Sequence, residues 1–533
     1  MDRKWWTLIA VCTATFMLLL DITVVNVALP DIQQSLHASF SDLQWVVDAY
    51  SLTLAAFLLT AGVAGDIYGR RKIFAVGLVV FSAASLVCGL STTPLMLNLA
   101  RAVQGVGGAI MFATSLALIA AAFTGRDRGT AFGVYGAVIG GAVAIGPLIG
   151  GAITSGIGWR WIFFVNVPIG AIAVLITFTQ IAKSEDLRAR KIDWVGFLTF
   201  SLSLFALVFA LVRGNDLGWG SATTIGLLVG AGALMVGFFV NERYATDPML
   251  DLGLFKIPAF VGLSTVAFTL AASIFAMFLY LTLYIQDNLG YGPLAAGIRF
   301  LPMTLVIFFT SFFAGRLTVR VQSRFLLGIG MLFVTGGLLL MATTHPNSTW
   351  TVLPPGFIVS GFGVGIVNPV LASGAVSVVQ PQRSGMASGA NNTFRQVGIA
   401  TGIAVLGAVF QSQIVAHTTA ALAKSPFGPE VLRRGGAQLQ GAMSSGEVRQ
   451  AAGAIPIAGA RNALLQAYHS GFSVTLNHLM VIGAVVALVG AVCGFALVRQ
   501  RDFVIPGGPP PEGNQAPREG PGSPDDVVPA VHA

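Results

Sequence analysis

Long apolar runs separated by short polar segments dominate the pattern of this chain. Most runs are near the length, roughly 20 residues, that an α-helix needs to cross the hydrocarbon core of a bilayer. The pattern predicts fourteen membrane-spanning helices, with these bounds: 5–29, 42–64, 73–91, 95–123, 129–156, 159–181, 194–212, 222–241, 258–285, 293–315, 324–343, 350–379, 386–416 and 472–498. The first run contains Asp21 and has no clear cleavage site, so we expect it to be retained as a span rather than removed as a secretion signal.

Composition agrees with this pattern. Hydrophobic residues make up 55% of the chain and charged residues 10%, against roughly a quarter charged in soluble domains. A soluble protein of 533 residues could not bury so much apolar surface in one core. The net charge of +8 comes without a Lys/Arg-dense domain or a nucleic-acid-binding motif, so no nucleic-acid partner is expected. The chain is therefore predicted to be an all-α integral membrane protein.

The Lys and Arg residues predict the orientation of the spans. With the N-terminus on the inner side and the spans alternating, 20 of the 30 Lys and Arg residues fall on the inner side. Cytoplasmic loops carry such an excess of positive charge. We therefore expect a multi-pass protein of the plasma membrane with both termini in the cytoplasm.

An internal repeat predicts the architecture. Glycine-rich strings recur at one offset of 256 residues: 104–107 with 360–363, 129–133 with 385–389, and Gly146 with Gly402. Eight spans separate the copies, which indicates two parallel six-helix bundles with two inserted helices. The predicted units are 1–182 (N-terminal bundle), 183–257 (inserted helices seven and eight), 258–504 (C-terminal bundle) and 505–533 (disordered cytoplasmic tail). The outer loop 417–471 forms either a short amphipathic helix or a mobile cover.

In the first repeat, three ionisable side chains sit well inside predicted spans: Asp21 in the first, Asp48 in the second and Arg101 in the fourth. Charged groups at such depth usually face a cavity and pair with one another. Two carboxylates and one guanidinium leave one carboxylate without a full partner, which would let it bind and release protons. This predicts proton coupling by these three residues. Two other interpretations stay open: both acids clamp Arg101 structurally, or Asp48 is exposed to water near the mouth.

A glycine-rich charged turn, Gly62–Lys72, lies between the second and third spans and contains Gly65, Asp66, Gly69 and three adjacent bases. It resembles the loop signature of the major facilitator superfamily of transporters, although Ile67 stands where that family usually has a base. In the family, the Asp and Arg residues of this turn latch the two halves of the protein. The resemblance implies a conformational latch made by Gly65, Asp66, Gly69, Arg70 and Arg71.

Asp66 has a candidate partner in the other half of the chain. Ser384 is a plausible N-cap for the thirteenth span, on the same side of the membrane. Because a helix N-terminus carries partial positive charge, Asp66 is expected to dock there when the inner gate is shut. An ordinary turn capped by charge is the alternative.

Several further strings resemble the fourteen-span drug:proton antiporters of the EmrB/QacA type. They are 20–30, 101–109, 140–151, 159–170, 193–196, 248–256 and 391–396, and the resemblance extends over roughly residues 5 to 500. In that family the Arg of the fourth-span signature is implicated in proton coupling, a role that falls here on Arg101. The fifth-span signature is associated with antiport and covers Gly146, Pro147, Gly150 and Gly151. A simple packing motif is the alternative for this glycine string.

The second repeat has two buried cations, Arg299 and Arg395, and no acid deep in a span. They are expected to pair with helix carbonyls, with Asn391 or Asn392, or with substrate. Family members that export divalent cations place a carboxylate in the tenth span, and its absence here disfavours dicationic substrates. The candidates for contact with substrate in the cavity are Asn26, Gln104, Arg299, Asn391, Asn392 and Arg395.

Taken with the resemblance, these features predict proton-coupled efflux of hydrophobic or amphipathic drug-like molecules, cationic ones included, by alternating access. No nucleotide-binding P-loop string and no hydrolase motif occurs in the sequence, so neither ATP-driven pumping nor an enzyme is expected. We expect a monomer that uses the proton gradient, without a cofactor or a metal site. Alternatives are export of a lipid or an endogenous metabolite, import on the same fold, and a non-transporting receptor or scaffold.

Overall fold

The computed structural model describes residues 2–38, 40–182, 193–246, 248–318, 320–445 and 448–503. Within these residues the chain is built from α-helices joined by short turns, and no β-strand occurs. The predicted tail, 505–533, and the first ten residues of the predicted unit 183–257 lie outside the described residues.

The helices described before residue 183 make up the first half of the fold. They are α1 (Arg3–Leu36), α2 (Phe40–Tyr68), α3 (Arg70–Gly89), α4 (Pro94–Ala122), α5 (Gly125–Gly156), α6 (Trp161–Phe164) and α7 (Asn166–Gln180). Two inserted helices follow, α8 (Trp194–Leu217) and α9 (Ala222–Tyr244), and then the 3₁₀ turn Leu252–Lys256.

The second half contains the remaining helices. They are α10 (Pro258–Leu270), α11 (Ala276–Leu283), α12 (Pro293–Leu317), α13 (Ser323–Met341), α14 (Pro354–Ser377), α15 (Ser384–Ala423), α16 (Gly428–Ser445), α17 (Val448–Gly453) and α18 (Ala458–Leu497). Two π-helical turns, Ala271–Phe275 and Tyr284–Asn288, flank α11, so that α10 and α11 form one irregular span.

Thirteen segments of the described residues are helical, long and apolar enough to cross a membrane. α5, with 32 residues, covers the predicted fifth span. The thirteen segments and α5 together match the fourteen spans expected from the apolar pattern, and the prediction of an all-α membrane fold is confirmed.

Local sequence sets several helix ends. Thr93 and Ser221 accept hydrogen bonds from Met96 N and Thr224 N as N-caps of α4 and α9.

The two halves repeat one packing pattern. α4 packs between α2 and α3, and α14 packs in the same way between α12 and α13. The repeated glycines lie at equivalent contacts, which are Gly105 on Tyr50, Gly107 on Phe81, Gly361 on Met303 and Gly363 on Val334. The constant offset in the sequence thus corresponds to equivalent helices in space.

The halves meet through two equivalent helix pairs, α2 with α15 and α5 with α12. The contact is closest on the face where α1 begins and α2 ends, here called the N-terminal face. A Cβ on Gly62 would lie 2.9 Å from the carbonyl carbon of Gly385, and one on Gly315 would lie 2.6 Å from the backbone nitrogen of Gly133. Both distances are too short for a real Cβ, so only glycines allow the backbones to approach this closely.

The inserted helices lie beside the contact between the halves. α8 packs on α9 and also against α2 of the first half and α15 of the second. Asp193 caps α8 by accepting a hydrogen bond from Gly196 N at 2.9 Å, and it also accepts one from the side chain of Asn241 near the end of α9. This position lets α8 contact both moving parts of the predicted transporter.

The segment predicted as an outer loop, 417–471, is largely helical. α15 and α18 extend into it, and α16 and α17 connect them. The backbone breaks at Gly436, where φ is +48° and ψ is −137°. Leu439 and Met443 are buried against the second half. Of the two alternatives for this segment, the structure agrees with an amphipathic helix.

Candidate functional site

Three side chains of α1 and α4 form a hydrogen-bonded group, the Asp21 cluster (Asp21, Arg101 and Gln104). Arg101 Nη1 donates to Asp21 Oδ2 and also to Gln104 Oε1 at 2.7 Å. Gln104 Nε2 donates to Asp21 Oδ1 at 3.1 Å. Arg101 and Gln104 lie three residues apart on α4, so both face the same side of that helix. Asp21 is only 4% exposed and Arg101 only 1%, so both carboxylate oxygens are bound by protein donors and are shielded from water.

Aromatic and backbone groups of α2 hold the Arg101 guanidinium. Its carbon lies 4.2 Å from the centroid of the Tyr50 ring, and its Nε donates to Val46 O at 3.0 Å. The Tyr50 hydroxyl donates in turn to Leu18 O on α1 at 3.4 Å. A cation above an aromatic face is attracted by the ring. The Asp21 cluster therefore ties α1, α2 and α4 together.

Asp48 has a different partner from the one the sequence suggested. Its carboxylate lies 3.8 Å from Arg213 Nη1, and that nitrogen also donates to Gln44 Oε1 at 2.5 Å. The expectation that one of the two acids lacks a full partner is therefore wrong. Arg213 is near the end of α8 and reaches Asp48 because α8 packs on α2. The sequence placed Arg213 at a span edge, but nothing in it indicated which helix α8 would contact.

The glycine string of α5 lies directly beside the Asp21 cluster. A Cβ on Gly146 would lie 2.6 Å from Thr23 Cβ, and one on Gly150 would lie 3.1 Å from Val24 Cα. Thr23 and Val24 follow Asp21 on α1, so these glycines bring α5 against the segment that carries the acid. Gly151 faces open space, and the side chain of Pro147 lies outside the described residues.

Asp66 joins the two halves at the N-terminal face. Its Oδ1 accepts from Gly385 N at 3.0 Å and its Oδ2 accepts from Met386 N at 2.8 Å, both in the first turn of α15. Arg70 donates to Asp66 Oδ1 at 3.0 Å through Nε, and it also donates to Pro381 O in the other half. An acid in the other half of the protein thus caps α15 and opposes its helix dipole.

The other residues of the predicted latch take local roles. Arg71 donates to Phe178 O at 2.5 Å and so binds α3 to α7 within one half. Gly69 has a φ of +96°, a conformation that favours glycine. A Cβ on Gly65 would lie 2.8 Å from Thr114 Cγ2 on α4.

The expectation that Ser384 caps α15 is wrong. Ser384 is the first residue of the helix, and its hydroxyl donates to Pro381 O at 2.9 Å instead of accepting from the first turn. The capping position is filled by Asp66, because the close glycine contact brings the end of α2 onto the end of α15.

A second ion pair on this face was missed by the sequence analysis. Asp251, just after the inserted helices, accepts from Arg383 Nη1 beside the start of α15. Asp251 also accepts from Gly253 N at 2.9 Å as it begins a 3₁₀ turn. The inserted segment is therefore bound one residue away from the helix end that holds Asp66. Nothing in the sequence indicated this pair, because 131 residues lie between Asp251 and Arg383.

The substrate-contact candidates in the second repeat differ in their surroundings. Arg299 lies in the second turn of α12, 3.3 Å from the Tyr291 ring centroid, and donates to Ala295 O at 2.8 Å. Asn391 and Asn392 are buried on α15. On the same helix, Arg395 is half-buried and stacks on the Phe275 ring at 4.7 Å, with no hydrogen bond or ion pair to any described residue.

Two further expectations concern cavity contacts and metal. Gln104 belongs to the Asp21 cluster, whereas the side chain of Asn26 lies outside the described residues. In the described part of the chain, no group of three His, Cys, Asp or Glu side chains has the arrangement of a metal site. The groups that meet in these sites are carboxylates, guanidinium groups and helix ends.

The sequence is similar to those of known resistance and export proteins. The chain is 36% identical over 411 residues to the multidrug resistance protein Stp of Mycobacterium tuberculosis (strain CDC 1551 / Oshkosh), covering 77% of this chain and 76% of the relative. It is 37% identical over 420 residues to the puromycin resistance protein pur8 of Streptomyces alboniger, covering 78% and 83%. It is 32% identical over 493 residues to the tetracenomycin C resistance and export protein of Streptomyces glaucescens, covering 92% and 90%.

Solved structures share the fold at low sequence identity. The proton:xylose symporter XylE bound to 6-bromo-6-deoxy-D-glucose matches with a TM-score of 0.61 and 12% identity, covering 93% of this chain and 96% of its own. The human organic anion transporter MFSD10 (TETRAN) matches with a TM-score of 0.59 and 13% identity, covering 91% and 100%. The model of the Major Facilitator Superfamily matches residues 11–403. The chain therefore belongs to the Major Facilitator Superfamily.

Proposed function

We propose that this protein exports hydrophobic or amphipathic drug-like molecules from the cell in exchange for protons, by alternating access between its two halves. The observation that carries the proposal is the buried Asp21–Arg101 pair, which joins α1 to α4 inside the first half. Ionisable side chains buried inside a membrane-spanning bundle are costly, and they are candidates for proton relays. The resistance and export proteins named above support drug-like cargo.

The contacts between the halves support a state that is closed on the N-terminal face. There, two glycine contacts and Asp66 bring the halves together. Further along α5, Gly140 still faces Ile307 of α12, whereas Gly146 and Gly150 face α1. α5 thus turns from the other half to its own half as it leaves the N-terminal face. We infer that the substrate path in this state opens toward the opposite face.

In the proposed cycle, Asp21 carries the proton. While Asp21 is ionised it accepts from Arg101 and Gln104, and these contacts hold α1 against α4. Protonation from the outer side removes the negative charge and weakens the ion pair, since a neutral carboxyl attracts a guanidinium far less. The released helices favour the opposite state, in which Asp21 loses its proton to the cytoplasm. Export and proton entry are linked because the two states differ in which side reaches Asp21.

Asp66 is proposed as the latch that holds the N-terminal face closed. Its two backbone hydrogen bonds to α15 exist only when the halves touch there, so they stabilise that state alone. Arg70 supports the same state through Asp66 and Pro381. Release of this latch would open the face to cargo from the cytoplasm.

The proposal places the protein in the plasma membrane with both termini in the cytoplasm. The excess of Lys and Arg on the N-terminal side supports this orientation. We further propose that it works as a monomer without a cofactor, and that its units are 1–182, 183–257, 258–504 and the cytoplasmic tail 505–533.

The test uses the full-length protein in proteoliposomes with an imposed pH gradient and a panel of fluorescent amphipathic dyes. We expect the wild type to move dye against its gradient when protons flow the other way. Asp21→Asn should abolish gradient-driven transport but keep downhill dye exchange. Asp127→Asn is the matched control, because Asp127 is half-exposed and pairs with Lys4 at 2.7 Å away from the cluster. Normal proton-driven transport by Asp21→Asn would show that another group carries the proton.

A further inference from the structure

Arg395 is a cation of α15 for which the described protein supplies no anion. It is the twelfth residue of a 40-residue helix, far from both helix ends. Its guanidinium stacks on Phe275 at 4.7 Å, and no described residue forms a hydrogen bond or ion pair with it. The other arginines inside spans do have acceptors: Arg101 has Asp21, Arg213 has Asp48, and Arg299 has a backbone carbonyl.

The groups around Arg395 are hydrogen-bond donors rather than acids. Asn392 lies three residues before it and Ser388 seven residues before it, on the same face of α15. Asn392 Nδ2 and Ser388 Oγ are buried and have no hydrogen-bond partner. Asp21 is occupied elsewhere by Arg101 and Gln104.

An unpaired guanidinium inside a membrane protein is unfavourable unless a partner reaches it. Unsatisfied buried donors beside it add to that penalty. A ligand group that carries negative charge and accepts hydrogen bonds would supply the partner that Arg395 lacks. A carboxylate has this chemistry, and a guanidinium can bind it through two parallel hydrogen bonds. The Phe275 ring would contact the apolar part of the same molecule.

We propose that Arg395 binds an anionic group of the transported molecule, so that the preferred cargo is an amphipathic organic acid with an apolar body and one carboxylate or ionised phenol. This rests on the proposed export function and narrows its substrate class. Arg395 lies between Gly389 and Ala400 on α15, and both of these residues pack against α2 of the first half, so cargo held by Arg395 would lie beside the contact between the halves. A bound anion would also supply the negative charge that the second half, which has no acid deep in a span, does not offer to Arg395.

The test measures equilibrium binding to the purified full-length protein in detergent, with no ion gradient. The probes are 1-pyrenebutyric acid and its methyl ester, which share an apolar body and differ in charge. Empty micelles measure partitioning. We expect the wild type to bind the acid about tenfold or more tightly than the ester. Arg395→Gln should remove this preference and leave ester affinity within about twofold, which also shows that the variant is folded.

Two matched variants complete the design. Arg395→Lys keeps the charge without the guanidinium fork, so it should retain part of the preference. Arg316→Gln removes an exposed arginine of the same half that stacks on the Phe312 ring at 4.1 Å, and this variant should keep the full preference. The proposal is overturned if the wild type binds acid and ester equally, or if Arg395→Gln still prefers the acid.

A chloride titration separates the cargo from a small inorganic anion. Replacing gluconate by chloride at equal ionic strength should change acid affinity by less than about threefold. Complete displacement of the acid by chloride would mean that the site holds an inorganic ion, which also overturns the proposal. Because no gradient is applied, failure of proton coupling leaves this result unaffected. Conversely, tight acid binding without transport would reject the export function and leave the site intact.

Discussion

Removal of the Asp66 carboxylate should open the N-terminal face. Asp66→Ala deletes two hydrogen bonds to the first turn of α15 and leaves Arg70, which is 8% exposed, without its carboxylate. Loss of an N-cap costs about 0.5–2 kcal/mol. Removal of one partner of a buried ion pair costs about 3–5 kcal/mol. Arg70 keeps its hydrogen bond to Pro381, so we expect Asp66→Ala to destabilise the closed state by about 3 kcal/mol relative to the open state.

A change of about 3 kcal/mol shifts the equilibrium between closed and open states by roughly a hundredfold. The measurement is the distance between two spin labels on the N-terminal face, one at Thr124 before α5 and one at Leu317 at the end of α12. Both positions are exposed, and their helices meet at the contact between Gly133 and Gly315. The native residues Cys12, Cys88 and Cys493 are replaced first.

The wild type should give a single short distance, and Asp66→Ala should give a predominantly longer one. Asp66→Asn keeps one acceptor oxygen without the charge, so its distribution should lie between the two. Asp127→Asn, which breaks the half-exposed pair with Lys4 on the same face, is the control and should leave the distance unchanged. An unchanged distance in Asp66→Ala, in a folded protein, would refute the reasoning, since the carboxylate would then add nothing to the closed state.

Two further results are expected. Gly62→Val should block closure of the N-terminal face, because even a Cβ there would lie 3.3 Å from Gly389 Cα and closer still to Gly385. The spin-label distance should therefore lengthen, while the protein is still expressed. A short distance in this variant would contradict the prediction. Arg213→Gln should lower the free energy of unfolding by about 1–3 kcal/mol, measured as a lower thermal midpoint, because Asp48 loses its cation and both side chains are only 14% exposed. Adding Asp48→Asn should restore most of this loss. Additive losses would show that the two side chains do not interact.

Much of this architecture could be predicted from the lengths of the apolar runs and from the constant offset of the internal repeat. The apolar runs are long and carry few charges, so span number and helical class follow from the requirement that backbone groups in lipid bond internally. The offset of 256 residues identified equivalent helices, because 129–133 and 385–389 face the other half in the same way. Asp21 and Arg101 could be singled out together, since ionisable groups inside spans need partners.

Other features depended on which helices touch. Asp48 and Arg213 are 165 positions apart, and only the packing of α8 on α2 brings them to 3.8 Å. Ser384 was a reasonable cap by local rules, but the cap comes from Asp66, 318 residues earlier. Local rules rank the residues beside a helix end and contain no information on a side chain that arrives from another helix.

The chain by itself determined that it spans a membrane, how many times, and that its two halves repeat, because these follow from apolar length and spacing along one dimension. Tertiary structure decided which charges meet, which helix end Asp66 caps, and that Arg395 meets no acid among the described residues. The reason is physical: an ion pair or a helix cap is fixed by distances of about 3 Å, and those distances are set by helix contacts between residues hundreds of positions apart.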